Sequence, residues 1–462
     1  MTTFDIQAFI DRQTIRRPHY VVMALATLVM FIDGFDIFMV GKIAPAIARD
    51  FGVTPASMTL VFLLQQAGLA VGAFFVSPLS DLYGRKRMLV VSAVIFGVLT
   101  LSTTIAPSIT VIAILRGLSG LFLAGVLPTA VALVAEFTPR HRRSTFIALS
   151  IAGYSAGSAA GAAIAFLVPT HGWESGFWVG GLMPLAVVPL LLIWLPESLA
   201  YRVNRDPSDP AIPRTIARID PAVRLEGSET FTAGEPKQAN SGKVSVFDVF
   251  RDGRARTTII VWLACLLSMG NIALLAAWLP SFFQEMAGIS IQRFAMTYMI
   301  GFVGGLAGTV TIGFLMDRIR PTRLIPAYYL GNAAALTLLG HVPFGTPGFM
   351  LVLIFWSFCQ SGGQAGLNML MAQTYPSSIR STGVGWAGGA GRIGGVIVPL
   401  FGGLALASAF TLPLTLTLIA ISPVLVALLT LLLRPLAPAQ HGEPALAGPI
   451  TSLGDVAAPA RS

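Results

Sequence analysis

The chain has 462 residues, of which 55% are hydrophobic and only 11% are charged, and its mean hydropathy is +0.76. An ordinary soluble domain has roughly 25% charged residues, so this composition excludes a soluble globular enzyme, and the high apolar content also excludes a disordered chain. The formal net charge of +9 could suggest nucleic-acid binding, but the positions of the basic residues favour a different interpretation.

Twelve long apolar segments follow one another along the chain, and each can form a helix of about 20 residues that crosses a bilayer. The segments lie at 20–44, 58–78, 88–106, 109–135, 145–168, 176–195, 257–280, 294–316, 324–341, 347–372, 382–405 and 411–433. They are too long, and alternate too little, for transmembrane β-strands. We therefore predict an all-α membrane protein of twelve transmembrane helices, referred to as spans 1 to 12.

A polar segment between spans 6 and 7 divides the chain into two halves. We predict a first six-helix bundle at 1–195, a cytoplasmic central loop at 196–256, a second six-helix bundle at 257–433 and a tail at 434–462 that is expected to be disordered.

The basic residues are distributed unevenly between the two sides of the predicted bundles. Of 30 Lys and Arg, 25 fall in segments on the side of the two termini, whereas Arg49 and Arg293 fall in the opposite loops. Basic residues accumulate in cytoplasmic loops, so both termini are predicted to be cytoplasmic. Nucleic acid is therefore not an expected partner.

Two motifs recur at nearly the same offset and indicate an internal repeat. Asp81 after span 2 matches Asp317 after span 8 at an offset of 236 residues. Glu136 and Arg143 after span 4 match Gln373 and Arg380 after span 10 at an offset of 237. Parallel six-helix repeats of this kind are typical of the major facilitator architecture.

The loop after span 2 resembles the signature loop of that superfamily, although Ser77 stands at its first glycine and the second copy is degraded. A carboxylate beside arginines at helix ends can latch two bundles on the cytoplasmic side. The alternative is a basic loop that only sets the topology. The predicted gating residues of both copies are Asp81, Gly84, Arg85, Arg87, Glu136, Arg143, Asp317, Arg323 and Arg380.

Two carboxylates lie inside span 1, Asp33 near mid-depth and Asp36 one turn further out. An ionisable group inside a membrane is functional by default, and two neighbouring acids do not both ionise easily. We predict that Asp33 and Asp36 couple transport to protons or contact the substrate. The alternative is a structural pair tied to an arginine elsewhere.

Three cations also lie inside spans. Arg392 sits in the glycine-rich span 11, and its guanidinium needs an anion, either an acid of span 1 or a substrate carboxylate. Arg116 in span 4 is a second candidate for substrate binding, with an outward-reaching side chain as the alternative. Lys42 near the outer end of span 1 is expected to extend its ammonium to the surface.

Uncharged polar residues mark further candidate positions for substrate binding. Three lie on one face of span 10 and two on one face of span 7, while Tyr154 lies in the glycine-rich span 5. Hydrogen bonds between packed helices are the alternative role for each of them. The candidates are Asn271, Trp278, Gln360, Gln364, Asn368 and Tyr154.

Several segments together resemble one family, the aromatic acid:H+ symporters of the major facilitator superfamily. They are FDIQAFID at 4–11, IDGFD at 32–36, YPSSIRSTGVGW at 375–386 and GRIG at 391–394. The resemblance covers most of the chain except the central loop and the tail. It implies importance for Asp33, Asp36, Asp81, Glu136, Arg380 and Arg392.

The resemblance also implies the activity, which is import of hydroxybenzoates or related aromatic acids with protons across the inner membrane of a bacterium. A monomer in the lipid bilayer is expected, without cofactor or metal, since no ligand spacing is present. One alternative is transport of another organic anion, such as a sugar acid or a dicarboxylate. Another, from a different class, is a membrane sensor for aromatic acids in chemotaxis.

Overall fold

The computed structural model describes residues 3–221, 223, 225, 229–232, 249–251, 253–316, 318–375, 380–408 and 410–433. Its helices are α1 (Ile6–Arg12), α2 (Arg17–Asp50), α3 (Thr59–Phe75), α4 (Leu79–Tyr83), α5 (Arg85–Ser102), α6 (Ile109–Leu123), α7 (Val126–Phe137), α8 (Arg143–Ala163), α9 (Val168–His171), α10 (Glu174–Trp194), α11 (Leu199–Arg205), α12 (Ala211–Ile219), α13 (Ala255–Ala287), α14 (Ile291–Met316), α15 (Pro321–Leu339), α16 (Pro347–Thr374), α17 (Arg380–Ile397), α18 (Leu400–Ala407), α19 (Leu412–Ile419) and α20 (Ile421–Leu431). Two short strands, β1 (Thr3–Asp5) and β2 (Thr230–Thr232), pair in parallel.

Ten stretches of the described chain are long and apolar enough to cross a membrane. They are Arg17–Asp50, Pro55–Phe75, Arg85–Ile105, Ile109–Phe137, Thr145–Phe166, Glu174–Trp194, Ala255–Ala287, Ile291–Met316, Thr382–Ala407 and Leu412–Leu431. Helices α15 and α16 occupy the positions of spans 9 and 10, where polar residues dilute the apolar ones. The predicted all-α membrane fold is confirmed, and the full count of twelve crossings stays a prediction.

The helices form two groups with the same internal arrangement. In the first group α2 packs on α8 and α3 packs on α6, and in the second group α13 packs on α17 and α14 packs on α16. Glycine permits the closest approaches, because a Cβ at Gly157 would collide with the carbonyl oxygen of Phe31, and one at Gly308 with that of Phe358. Small residues at such contacts are typical of membrane helices, and the recurring pairs agree with the predicted repeat.

The N-terminal segment and the central segment fold together on one side of the first group. Phe4 of β1 pairs with Phe231 of β2, and Asp11 of α1 accepts a hydrogen bond from the Arg140 backbone N–H at 3.0 Å. We call this side the terminal face and the opposite side the distal face. The described part of 196–256 is more ordered than its polar composition predicts. Isoleucines on one face bury α12 against the bundle, namely Ile212, Ile216 and Ile219.

Contacts between the two groups are extensive on the distal side. The rings of Phe62 in α3 and Trp278 in α13 meet edge to face with centroids 4.9 Å apart. The Gln292 side chain of α14 donates to the Ala165 carbonyl at 3.0 Å. Nearer the terminal face, Phe74 and Trp386 approach with centroids 6.3 Å apart. The distal side is therefore closed in this structure.

Candidate functional site

A buried ion pair occupies the interior of the first group. The Arg116 guanidinium of α6 pairs with the Asp36 carboxylate of α2, and both side chains are fully buried. Arg116 also donates to the Thr100 hydroxyl at 3.4 Å and lies 5.8 Å from the centre of the Phe177 ring. The structure thus places the predicted substrate-binding Arg116 against Asp36, where its charge is already neutralised.

Asp33, one turn before Asp36, has a different environment. Its side chain is 3% exposed, and Oδ1 has no hydrogen-bond partner among the described residues. It borders a cavity of about 20 Å³, lined in part by Ser92 and Phe96, which has room for one water molecule. A buried carboxylate without a partner is costly when ionised, so this position favours a group that binds and releases a proton.

Arg392 of α17 brings a positive charge to the boundary between the two groups. Its Nη1 donates to the Leu69 carbonyl of α3 at 3.2 Å. Its positive charge also interacts with the Asp33 carboxylate of α2, in the first group, when that acid is ionised. Within the described chain Arg392 makes no ion pair closer than 4.0 Å. The guanidinium is half-buried and can therefore accept a carboxylate ligand.

Neutral polar side chains occupy the interior of the second group. The Ser268 hydroxyl donates to Gln364 Oε1 at 2.6 Å and also contacts the Tyr329 hydroxyl at 2.5 Å. Gln364 in turn donates to Asn368 Oδ1 at 3.0 Å. These bonds connect α13, α15 and α16 in one network. Two predicted substrate-binding residues belong to it, and both keep an exposed or half-buried side chain.

Three other predicted substrate-binding residues of the second group have mixed environments. Gln360 Oε1 accepts from Asn332 at 2.6 Å, whereas Gln360 Nε2 and Asn271 Oδ1 are buried without a partner in the described chain. Trp278 is fully buried, and its indole N–H donates to the Pro399 carbonyl at 2.8 Å. Trp278 therefore belongs to the distal closure in this arrangement, rather than to an open substrate surface.

The signature loop forms a charged network on the terminal face. Arg85 pairs with Glu136 of α7 and lies 3.4 Å from Asp81. The Ser198 hydroxyl donates to Glu136 at 2.5 Å. Gly84 has φ +101°, which L side chains rarely adopt, and a Cβ there would lie 2.5 Å from Glu197 Oε2. The predicted gating residues Asp81, Gly84, Arg85 and Glu136 thus lie together.

Glu197 also belongs to this network, although it is not among the gating residues predicted from the sequence. Its carboxylate is buried and accepts from the backbone N–H groups of Lys86, Arg87 and Ser198 at 2.9, 3.4 and 2.9 Å. The signal in the sequence was Pro196-Glu197-Ser198 directly after an apolar span. Ser198 caps α11 by accepting from the Tyr201 N–H, which is a common use of serine.

Four further predicted gating residues make no ion pair with Glu136 or lie outside the described residues, and Arg87 joins the network only through its backbone N–H. Arg143 pairs with Asp11 of the N-terminal helix at 3.4 Å. The Arg87 and Arg323 side chains are exposed. Asp317 lies outside the described residues, as does the side chain of Arg380 and the tail at 434–462.

Comparisons with known proteins agree with this architecture. Residues 26–362 match the family described as the Major Facilitator Superfamily. The chain is 32% identical to a gallate transporter of Pseudomonas putida, over 90% of this chain and 92% of that protein. It is also 32% identical to the 4-hydroxybenzoate transporter PcaK of Pseudomonas putida, over 86% of this chain and 88% of that protein.

Solved structures show the same fold. The inward open conformation of the xylose transporter XylE from E. coli superposes with a TM-score of 0.68 at 16% identity, covering 91% of this chain and 98% of that one. An inward-facing bacterial homologue of the human lysosomal transporter Spinster gives a TM-score of 0.68 at 14% identity, covering 91% and 97%.

The fold and the match over most of the chain define a multi-pass membrane transporter rather than an enzyme. The chain belongs to the Major Facilitator Superfamily and, within it, to the family of aromatic acid transporters. The predicted major facilitator fold and the predicted family of aromatic acid transporters are thereby confirmed, whereas the count of twelve helices and the coupling to protons stay predictions.

Proposed function

We propose that this protein imports an aromatic carboxylate of the hydroxybenzoate class together with protons, by alternating access. The relatives at 32% identity are named as transporters of gallate and of 4-hydroxybenzoate, which supports the substrate class. The observation that carries the proton coupling is Asp33, a buried acid whose Oδ1 has no hydrogen-bond partner among the described residues and whose charge interacts with that of Arg392 in the other half.

Arg392 and Asp33 have complementary roles in this proposal. The ionised Asp33 attracts the Arg392 guanidinium and competes with the substrate for it. A proton on Asp33 removes the competing negative charge, so the aromatic carboxylate binds Arg392 more tightly. Each ligand thereby strengthens binding of the other, which is the reciprocal coupling that symport needs.

Further polar groups in the interiors of the two halves supply contacts for ring hydroxyls. Asn271 Oδ1 and Gln360 Nε2 are buried without partners in the described chain, so a ligand hydroxyl could satisfy them. Gln364 and Asn368 offer further donors and acceptors, and Tyr154 packs on α2 at Gly34, the residue next to Asp33. A site that leaves such groups unpaired discriminates strongly against an analogue that lacks the matching hydroxyl.

The terminal network supplies the gate, with Asp81, Arg85, Glu136 and Glu197 as its charged members. We place it in the cytoplasm, with both termini, because 25 of 30 basic residues share that side. The membrane is the inner membrane of a bacterium, as expected for relatives in Pseudomonas putida. The two halves form a complete transport unit, so the protein is proposed to act as a monomer.

Proteoliposome uptake of radiolabelled 4-hydroxybenzoate tests the proposal. A gradient of one pH unit drives up to about tenfold accumulation for one coupled proton. Asp33→Asn should abolish accumulation while exchange of internal for external substrate continues, because the neutral amide mimics the protonated acid. Asp206→Asn, which removes an exposed acid of the terminal face, should accumulate as the wild type does.

Two results would contradict this proposal. Wild-type protein that accumulates no hydroxybenzoate under a pH gradient would contradict the substrate class. An Asp33→Asn variant that accumulates substrate as well as the wild type would contradict the coupling role of Asp33.

A further inference from the structure

Lys42 in α2 is a buried cation that the mechanism above does not use. Its side chain is 1% exposed, and Nζ has no hydrogen-bond partner among the described residues. The position of Lys42 near the end of an apolar span predicts that its ammonium reaches the surface, but the second group covers it on the distal side. Burial of an ammonium group without an anion is costly. The position of Lys42 therefore favours binding of an anionic ligand to its Nζ at some stage of transport.

The partners of the ammonium are two aromatic rings on α14. Nζ lies 4.3 Å from the centre of the Tyr298 ring and 5.9 Å from that of Phe294. Both distances fall within the range of a cation–π contact. Because α2 and α14 belong to different groups, this contact exists only while the distal side is closed.

A second buried donor that has no acceptor among the described residues lies near Tyr298. The Trp356 ring is 6.4 Å from the Tyr298 ring, its side chain is buried, and its indole N–H has no partner in the described chain. Phe294 stacks on Tyr298 with centroids 5.6 Å apart. The region thus combines aromatic rings with two buried donors that have no acceptor among the described residues, which suits a ligand that has an aromatic ring and acceptor oxygens.

We infer that Lys42, Phe294, Tyr298 and Trp356 form a distal binding site for the aromatic carboxylate, separate from the central site at Arg392. When the distal side opens, α2 moves away from α14 and the ammonium is released from Tyr298. The carboxylate then pairs with Lys42 while its ring packs on Phe294 and Tyr298. On closure the face of Tyr298 takes the place of the anion, and the substrate passes inward. Lys42 lies nine residues beyond Asp33 in α2, or about 14 Å along the helix.

This inference rests on the proposed function, and kinetics measured from the two faces test it. Membrane vesicles of opposite orientation present either the distal or the terminal face to labelled 4-hydroxybenzoate. Lys42→Met keeps the length of the side chain and removes its charge. It should raise KM at the distal face about tenfold and change KM at the terminal face by less than about twofold. Lys42→Arg should restore most of the distal affinity.

Two controls separate a distal site from a general loss of substrate affinity and from a general effect of distal charge. Arg392→Met, at the central site, should raise KM from both faces. Arg49→Met removes an exposed charge two turns further along the same helix and should leave both KM values unchanged. Lys42→Gln provides a second neutral variant with a hydrogen-bonding side chain, so the comparison does not depend on folding of Lys42→Met alone.

Each contrary outcome has a defined meaning. An equal rise of KM from both faces in the Lys42 variants would overturn the distal site and leave the proposed function intact. A rise of KM at the distal face in Arg49→Met as large as that in Lys42→Met would also overturn it, because loss of any positive charge on the distal side would then weaken binding. Wild-type vesicles that take up no aromatic carboxylate from either face would overturn both the inference and the proposed function.

Discussion

The two halves of this transporter share one helix arrangement but fill their interiors with different polar chemistry. The first half encloses charges, among them the Asp36–Arg116 ion pair and Asp33, whose Oδ1 has no hydrogen-bond partner in the part of the chain that the structure describes. The second half encloses neutral groups, in which Ser268, Tyr329 and Gln364 share hydrogen bonds. Its Arg392 lies at the boundary, where its charge interacts with that of Asp33 of the first half.

The difference shows how the two copies of a duplicated unit can take different functions in transport. A buried charge carries a large desolvation cost, so it responds strongly to a proton or to a counter-ion. Amides and hydroxyls cost less to bury and can satisfy a ligand hydroxyl or one another. The first half is therefore suited to coupling, and the second half to recognition of ring substituents.

The largest expected effect comes from breaking the ion pair of the first half. Asp36→Asn leaves the Arg116 guanidinium buried without an anion, which should cost about 3–5 kcal/mol of stability. Thermal unfolding of the purified protein in detergent measures this loss. The double variant Asp36→Leu/Arg116→Met buries no charge and should recover most of it. A double variant as unstable as the single one would mean that the pair fixes the packing rather than balancing a charge.

A smaller loss of stability should follow substitution in the first copy of the signature loop, whereas the matching substitution in the second copy should have almost no effect. Gly84→Ala combines positive φ with a collision at Glu197, so it should cost about 1–3 kcal/mol. Gly345→Ala is the matched control, because Gly345 has φ +81° but no neighbour near its Cβ position. Arg320, the counterpart of Gly84 in the second copy, has φ −56°, and Arg320→Ala should change stability by less than about 0.5 kcal/mol. Equal losses of stability for Gly84→Ala and Gly345→Ala would show that the collision with Glu197 adds nothing to the cost of the positive φ.

The smallest effect tests the neutral network of the second half. Ser268→Ala removes the hydroxyl between Tyr329 and Gln364 and should cost about 1 kcal/mol. Ser281→Ala, in the same helix, removes an equally buried hydroxyl that has no hydrogen-bond partner in the described chain, so it should cost nothing. Unfolding of both variants under one condition gives the comparison. Similar losses for the two would show that the network contributes no stability through its hydrogen bonds.

Much of the fold could be predicted from the sequence, because long apolar runs and a repeat at a fixed offset are local or periodic signals. The candidate acids were also visible, since a charge inside an apolar run stands out. Their partners were not, because Arg116 lies 80 residues beyond Asp36 along the chain and only packing brings them together. Packing likewise decides that Trp278 bonds Pro399 and that Lys42 lies under Tyr298.

The strand pair β1–β2 has a consequence for biosynthesis. Thr3 pairs with Thr230, so the first residues of the chain have no partner until the ribosome has made the whole first half and part of the central segment. At about 5–20 residues per second, that wait is on the order of ten to fifty seconds. The small sheet can therefore form only after all helices of the first half have been synthesised, while the second half is still being synthesised.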